Sequence, residues 1–162
     1  MGNSWYDTAQ VCLNGHAVND MVRAAPELSA DFCDKCGAPT ITTCPHCKAP
    51  IRGDYHVPGV FSIGTPYSPP AFCHACGLPY PWTEATLESA RELTDELHGL
   101  TPQEREILKS SLDDLVSDTP RTALAATRFK KLVAQAGPVV AEAFKEILVG
   151  VVTETAKKMI WP

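Results

Sequence analysis

The sequence predicts a small metal-stabilised β module over residues 1–82 and an all-α region of about four helices over residues 83–162. Three observations carry this. All seven cysteines of the 162-residue chain lie before residue 77. Prolines, glycines and aromatics crowd the same half, which has too few aliphatic side chains to fold on a hydrophobic core alone. Beyond Trp82 the pattern changes to apolar residues at helical spacing, interrupted by capping and stop signals.

The cysteines and one histidine form four close pairs: Cys12/His16, Cys33/Cys36, Cys44/Cys47 and Cys73/Cys76. Three are C-x-x-C turns, each of which presents two sulfurs from one tight loop. A tetrahedral zinc takes four such ligands, so eight make two closed sites. His16 completes an odd cysteine set that a disulfide framework would leave unbalanced. Metal binding would supply roughly 10 kcal/mol or more per structural zinc in modules of this size. Asn14-Gly15, a dipeptide suited to a turn with positive φ, brings Cys12 and His16 back to one point. Gly37 and Gly77, after their C-x-x-C pairs, permit the left-handed turn that aims both sulfurs at one metal.

Three pairings are open. A sequential scheme places Cys12, His16, Cys33 and Cys36 on one zinc and Cys44, Cys47, Cys73 and Cys76 on the other. A nested scheme joins the two central pairs, and a cross-brace joins alternate ones. The sequential scheme is the expectation, since it closes loops of ordinary length. His46 and His74 sit inside C-x-x-C turns, and His56 and His98 have no cysteine nearby; these four are expected to play ordinary polar roles.

Short extended pieces are expected beside the turns, at Thr40-Ile41-Thr42-Thr43 and Ala71-Phe72. Residues 56–70 read as an irregular loop, because proline and glycine recur too often for a strand ladder. Thr83 is expected to cap a helix carrying Leu87, Ala90, Leu93 and Leu97 and ended by His98-Gly99. Thr101-Pro102-Gln103-Glu104 is a capping box with proline at the first helical position. Thr119-Pro120 opens a third helix, stopped by Gly137-Pro138. A last helix is expected over residues 138–160, its apolar pairs recurring every four residues and so winding around the axis. Arg52-Gly53-Asp54 is expected to form a turn.

The motifs Cys-x-Asn-Gly-His, Phe32-Cys33-x-x-Cys36-Gly37, Cys44-Pro45-x-Cys47, Pro50-Ile51-Arg52-Gly53-Asp54-Tyr55 and Phe72-Cys73-x-x-Cys76-Gly77 resemble those of a bacterial family of uncharacterised zinc-ribbon proteins. The resemblance runs on through Pro81-Trp82-Thr83. It implies a zinc-ribbon fold and a bacterial cytoplasmic setting, and no activity. The paired turns are also similar to those of double zinc ribbons.

Composition narrows the function. No apolar run spans a bilayer, the charge-free stretch near the C-terminus being seven residues. The first residues lack a secretory pattern, and Tyr6 stands where a myristoylation motif wants Ser or Thr, so a soluble cytoplasmic protein is expected. Closed thiolate-rich sites leave no open coordination position. The sequence patterns of zinc proteases, phosphate-binding loops, serine hydrolases and zinc deaminases are absent, and no catalytic residue is assigned. Four basic residues against six acidic ones in residues 1–82 oppose phosphate binding, although Trp5, Tyr6, Tyr55, Phe61 and Tyr67 could stack on bases. Residues 84–118 carry ten acidic and three basic residues, whereas residues 121–162 carry three and seven. The expectation is a non-catalytic adaptor that docks a protein partner through residues 121–162. Nucleic-acid binding comes next, then a zinc-dependent enzyme, and peripheral membrane contact ranks below the protein partner.

Overall fold

Two small antiparallel sheets precede five α-helices among the described residues of the computed structural model, which are 2–61, 63 and 66–162. The chain divides into two compact units, Met1–Thr83 and Glu84–Pro162.

In the first unit, strand β1 (Trp5–Thr8) pairs with β5 (Arg52–His56), placing Trp5 opposite His56 and Tyr6 opposite Tyr55. The second sheet has the order β3-β2-β4, with β2 (Gln10–Cys12) between β3 (Ala17–Asn19) and β4 (Thr40–Ile41). Its buried centre is small: Ala9, Val11 and Ile51. Polar side chains do much of the remaining work. The buried Asp7 carboxylate accepts from the backbone N–H groups of Thr8, Arg23 and Ala24 at 2.6, 2.8 and 3.1 Å. Asn19 accepts from Met21 N and donates to Ala25 O and Ser29 Oγ. These bonds hold residues 19–29 in place where no apolar core could.

Arg52-Gly53-Asp54 is strand, not turn. Gly53 is buried in β5, and the position takes glycine because a Cβ there would come within 2.2 Å of Asp20 O, the oxygen to which Asp54 N donates. His56 also belongs to β5, so the irregular segment starts at Val57; Ser62, Gly64 and Thr65 within it lie outside the described residues, as does Met1.

Helix α1 (Pro81–Asp95) begins two residues earlier than its sequence signal. Thr83 is therefore inside the first turn, and its hydroxyl donates to Ala71 O at 2.8 Å instead of capping. In the second unit, α2 (Pro102–Val116) starts with the expected capping box, Thr101 and Glu104 bonding reciprocally. Helix α3 (Thr122–Ala136) starts after Thr119-Pro120, where the Thr122 hydroxyl accepts from Thr119 N and donates to Ser117 O. Gly137, at φ 98°, ends it.

The expected last helix is two: α4 (Pro138–Leu148) and α5 (Glu154–Ile160). Val149-Gly150-Val151-Val152-Thr153 combines a glycine with four β-branched residues, all poor helix formers. Thr153 caps α5, its hydroxyl accepting from Ala156 N at 3.2 Å, while its own N–H donates to Leu115 O. The break lets both apolar faces reach one core: Phe144 and Leu148 from α4, and Ala156 and Ile160 from α5, join Leu108, Leu112, Leu115, Phe129 and Val133. Phe129 meets Phe144 edge-on, centroids 5.3 Å apart. Each buried Leu or Phe contributes about 1.5–3 kcal/mol, so this unit, unlike the first, has a substantial apolar core.

Candidate metal centre

The four ligand pairs meet two by two. Cys12, His16, Cys33 and Cys36 converge in one cluster and Cys44, Cys47, Cys73 and Cys76 in a second, with the ligand atoms of each all within 4.8 Å of one another. This is the sequential arrangement. His46, His56, His74 and His98 belong to neither cluster.

Local backbone explains the convergence. In each C-x-x-C turn the first cysteine's carbonyl accepts from the residue after the second: Gly37 N to Cys33 O, Lys48 N to Cys44 O and Gly77 N to Cys73 O, at 2.8–2.9 Å. The first cysteine's N–H then bonds one residue further on, to Ala38, Ala49 and Leu78 O. Bridges Phe32↔Pro39, Thr43↔Pro50 and Phe72↔Pro79 close each loop. The shared frame x-C-x-x-C-G/K-A/L-P is legible in the sequence once the residues after each pair are aligned. Gly37 and Gly77 both adopt φ 74°; Lys48, at φ 65°, is the one non-glycine residue with positive φ among the described residues.

The Cys12/His16 pair is a β2–β3 hairpin. Gly15 N donates to Cys12 O, Cys12 N to His16 O, and His16 N to Cys12 Sγ at 3.3 Å. Gly15 has φ 89°, and a Cβ on it would stand 2.9 Å from Trp82 Cβ. Trp82 is held from its other end, its indole N–H donating to Pro70 O at 2.9 Å, and it stacks on Tyr80, centroids 4.6 Å apart. Tyr80 is fully buried and its hydroxyl has no hydrogen-bond partner among the described residues. Burial, then the adjacent Cys73, raises its pKa. Tyr80 and Trp82 thus connect the two clusters, a role the sequence reading missed.

Spacing within the clusters fits a closed tetrahedron. With metal–sulfur bonds of about 2.3 Å and metal–nitrogen bonds of about 2.0–2.1 Å, tetrahedral edges are about 3.8 Å for S···S and about 3.6 Å for S···N. Cys12 Sγ stands 3.8 Å from Cys36 Sγ, and His16 Nδ1 stands 3.5 Å from both Cys12 and Cys33 Sγ. In the second cluster Cys44–Cys76 is 3.8 Å and Cys47–Cys73 is 3.6 Å. Sulfurs this far apart are not disulfide-bonded. The unpartnered Tyr80 hydroxyl beside Cys73 fits the same reading, since a metal-bound thiolate accepts hydrogen bonds.

Each cluster holds one strongly acidic thiol. Cys36 is lowered to about 6, first by the Asn14 side chain, whose amide donates to its sulfur at 3.3 Å, then by the Ala38 N–H. Cys73 is lowered to about 6 by the N–H groups of Cys76 and Ala75. Their neighbours move the other way. Desolvation raises Cys12. In Cys47 and Cys76 the pull of the Ala49 and Leu78 N–H groups is outweighed by desolvation and adjacent thiols, leaving Cys47 raised and Cys76 at about 11. Cys36 and Cys73 are therefore the thiols most readily deprotonated before a cation arrives, whereas Cys12, Cys47 and Cys76 must give up a proton to bind one.

A family model described as "Uncharacterized protein conserved in bacteria (DUF2321)" matches residues 5–160. The chain belongs to this family. The match takes in both clusters, the Tyr80–Trp82 junction and all five helices. No curated protein and no solved structure matches the chain. Among the described residues, no helix is long and apolar enough to cross a membrane.

Proposed function

We propose that this protein is a non-catalytic, zinc-held interaction module of the bacterial cytoplasm. Residues 1–82 act as a double zinc ribbon, and the helical region docks a protein partner through residues 121–162. The observation that carries the reading is the closure of both clusters. Four protein donors per cluster, all within 4.8 Å of one another, would leave no coordination position for water or substrate, so zinc held there is structural. Function then lies in surfaces. Residues 121–162 offer Arg128, Lys130, Lys131 and Lys158 together with exposed Leu124, Val139 and Met159.

The second reading, nucleic-acid binding, draws on the β1/β5 ribbon, where Tyr6 and Tyr55 are half exposed and centred 4.6 Å apart. Against it, Arg52 already covers Tyr6 and Arg23 covers Trp5, each 4.6 Å from the ring centroid, and residues 1–82 are acidic on balance. Two measurements decide. Metal analysis of the purified chain should return two zinc ions, and Cys44→Ser should lose one. Affinity capture from the native host should enrich a discrete protein with the full chain and not with residues 1–120. A salt-dependent shift of DNA or RNA with no captured protein would favour the second reading.

A further inference from the structure

The second unit carries a ridge and a groove of opposite charge. The ridge is the exposed face of α4, where Val139 is 82 % exposed and lines a shallow, open hollow with Glu142, Ala143 and Glu146. The groove lies between α2 and α3. Ile107, 43 % exposed, and Leu132 line a concavity of about 320 Å³, with Arg128 and Lys131 at its wall. Glu104 also lines it, but its carboxylate is engaged by Thr101 N at 2.8 Å.

Neither charged set has an ion-pair partner among the described residues, although Asp95, Asp113, Asp114 and Glu154 all do. The spacings correspond. Glu142 and Glu146 are four residues apart and Arg128 and Lys131 three apart, so each pair sits about 5–6 Å apart on its helix surface. On α4, Ala143 lies between Glu142 and Glu146 with Val139 one turn before them, and in the groove Ile107 is the exposed apolar residue beside Arg128 and Lys131.

We propose that the ridge of one copy of this chain seats in the α2/α3 groove of a second copy, with Glu142 and Glu146 facing Arg128 and Lys131 and Val139 against Ile107 and Leu132. This deepens the reading of the helical region as a docking surface by naming one occupant. Because the test uses pure protein, its failure leaves the capture experiment above undisturbed.

Sedimentation of the full-length zinc-loaded chain over a concentration series should show a mass rising above the 17.5 kDa monomer. The rise should weaken as salt goes from about 0.1 M to about 1 M, because the screening length falls from about 10 to about 3 Å. The ridge variant Glu142→Lys/Glu146→Lys and the groove variant Arg128→Glu/Lys131→Glu should each weaken association by more than about tenfold. All four residues are exposed, and an unchanged thermal melt confirms folding of each variant. An equimolar mixture should associate again, since the acidic ridge of the groove variant meets the basic groove of the ridge variant and the two reversed surfaces also match. A wild-type chain that stays monomeric throughout overturns the proposal. So do variants that associate unaided, or a mixture that remains monomeric.

Discussion

The side-chain amide of Asn14 donates to the sulfur of Cys36 at 3.3 Å, so the turn that folds one ligand pair also stabilises the thiolate of another. Asn14 is the largest influence holding Cys36 near 6. Replacing it with alanine should return that thiol toward its ordinary value of 9.0 and weaken the first cluster's hold on zinc by about 10–100-fold, the usual cost of removing a group that orients a ligand. The second cluster should keep its affinity. Competition with a chromogenic chelator, resolving the two zinc ions as separate steps, checks this. Equal weakening of both steps would show that the loss comes from unfolding and not from the Asn14–Cys36 bond.

The thiol shifts also fix a pH dependence. Cys36 and Cys73 stand near 6 in the folded chain against an ordinary 9.0, so between those values the folded chain holds fewer protons than the unfolded one. Their contribution to stability is complete above about 9 and is lost as the pH falls through about 6. Cys76, at about 11, has the opposite sign: its contribution is complete below about 9 and is lost as the pH rises through about 11. Zinc requires every thiol ionised. Binding near neutral pH should therefore expel protons from Cys12, Cys47 and Cys76, and affinity should fall steeply below about 6, where Cys36 and Cys73 also become protonated. Calorimetry in buffers of different ionisation enthalpy should give different apparent heats; identical heats would contradict proton release.

Lys48 occupies the backbone position that Gly37 and Gly77 hold in the other two turns, and does so at φ 65°. A side chain in the left-handed region costs about 1–2 kcal/mol that glycine does not incur. The Lys48 ammonium recovers only an exposed contact to Pro45 O at 3.2 Å. Lys48→Gly should stabilise the zinc-loaded first unit by about 1 kcal/mol, seen as a higher denaturant midpoint at unchanged slope. Gly37→Lys, which has open space around its Cβ, should lose a similar amount through φ alone.

The meeting of the four pairs in two clusters was legible in the sequence because metal chemistry dictates residue type and the C-x-x-C turn is local. The starts of α2 and α4 and the end of α3 were legible for a similar reason: Thr101, Glu104, Gly137 and Pro138 act on neighbouring backbone, whereas the break between α4 and α5 was not read. Strands β1, β2, β3 and β5 were not. Each has three to five residues, and their pairing depends on distant groups, such as the Asp7 carboxylate binding Arg23 and Ala24 and the Asp20 carbonyl lying against Gly53. Tyr80 and Trp82 were hidden likewise. Their significance comes from Gly15 and Cys73, which the chain brings to them only when folded.

Thr153 separates the two readings of the C-terminal segment most sharply. Inside one continuous helix over residues 138–160, a threonine to alanine change would be neutral or stabilising, since alanine is the better helix former. In the folded chain Thr153 is instead the cap of α5, accepting from Ala156 N at 3.2 Å, with its own N–H on Leu115 O. Thr153→Ala keeps the second bond and removes the first, so it should destabilise the helical unit by about 1 kcal/mol. Thr153→Ser, which retains the hydroxyl, should recover most of that loss. Chemical denaturation of the three proteins followed by helical circular dichroism makes the comparison. An alanine variant at least as stable as the wild type would restore the single helix; the ordering wild type, serine, alanine requires the break after Leu148 that brings Ala156 and Ile160 into the core beside Phe144.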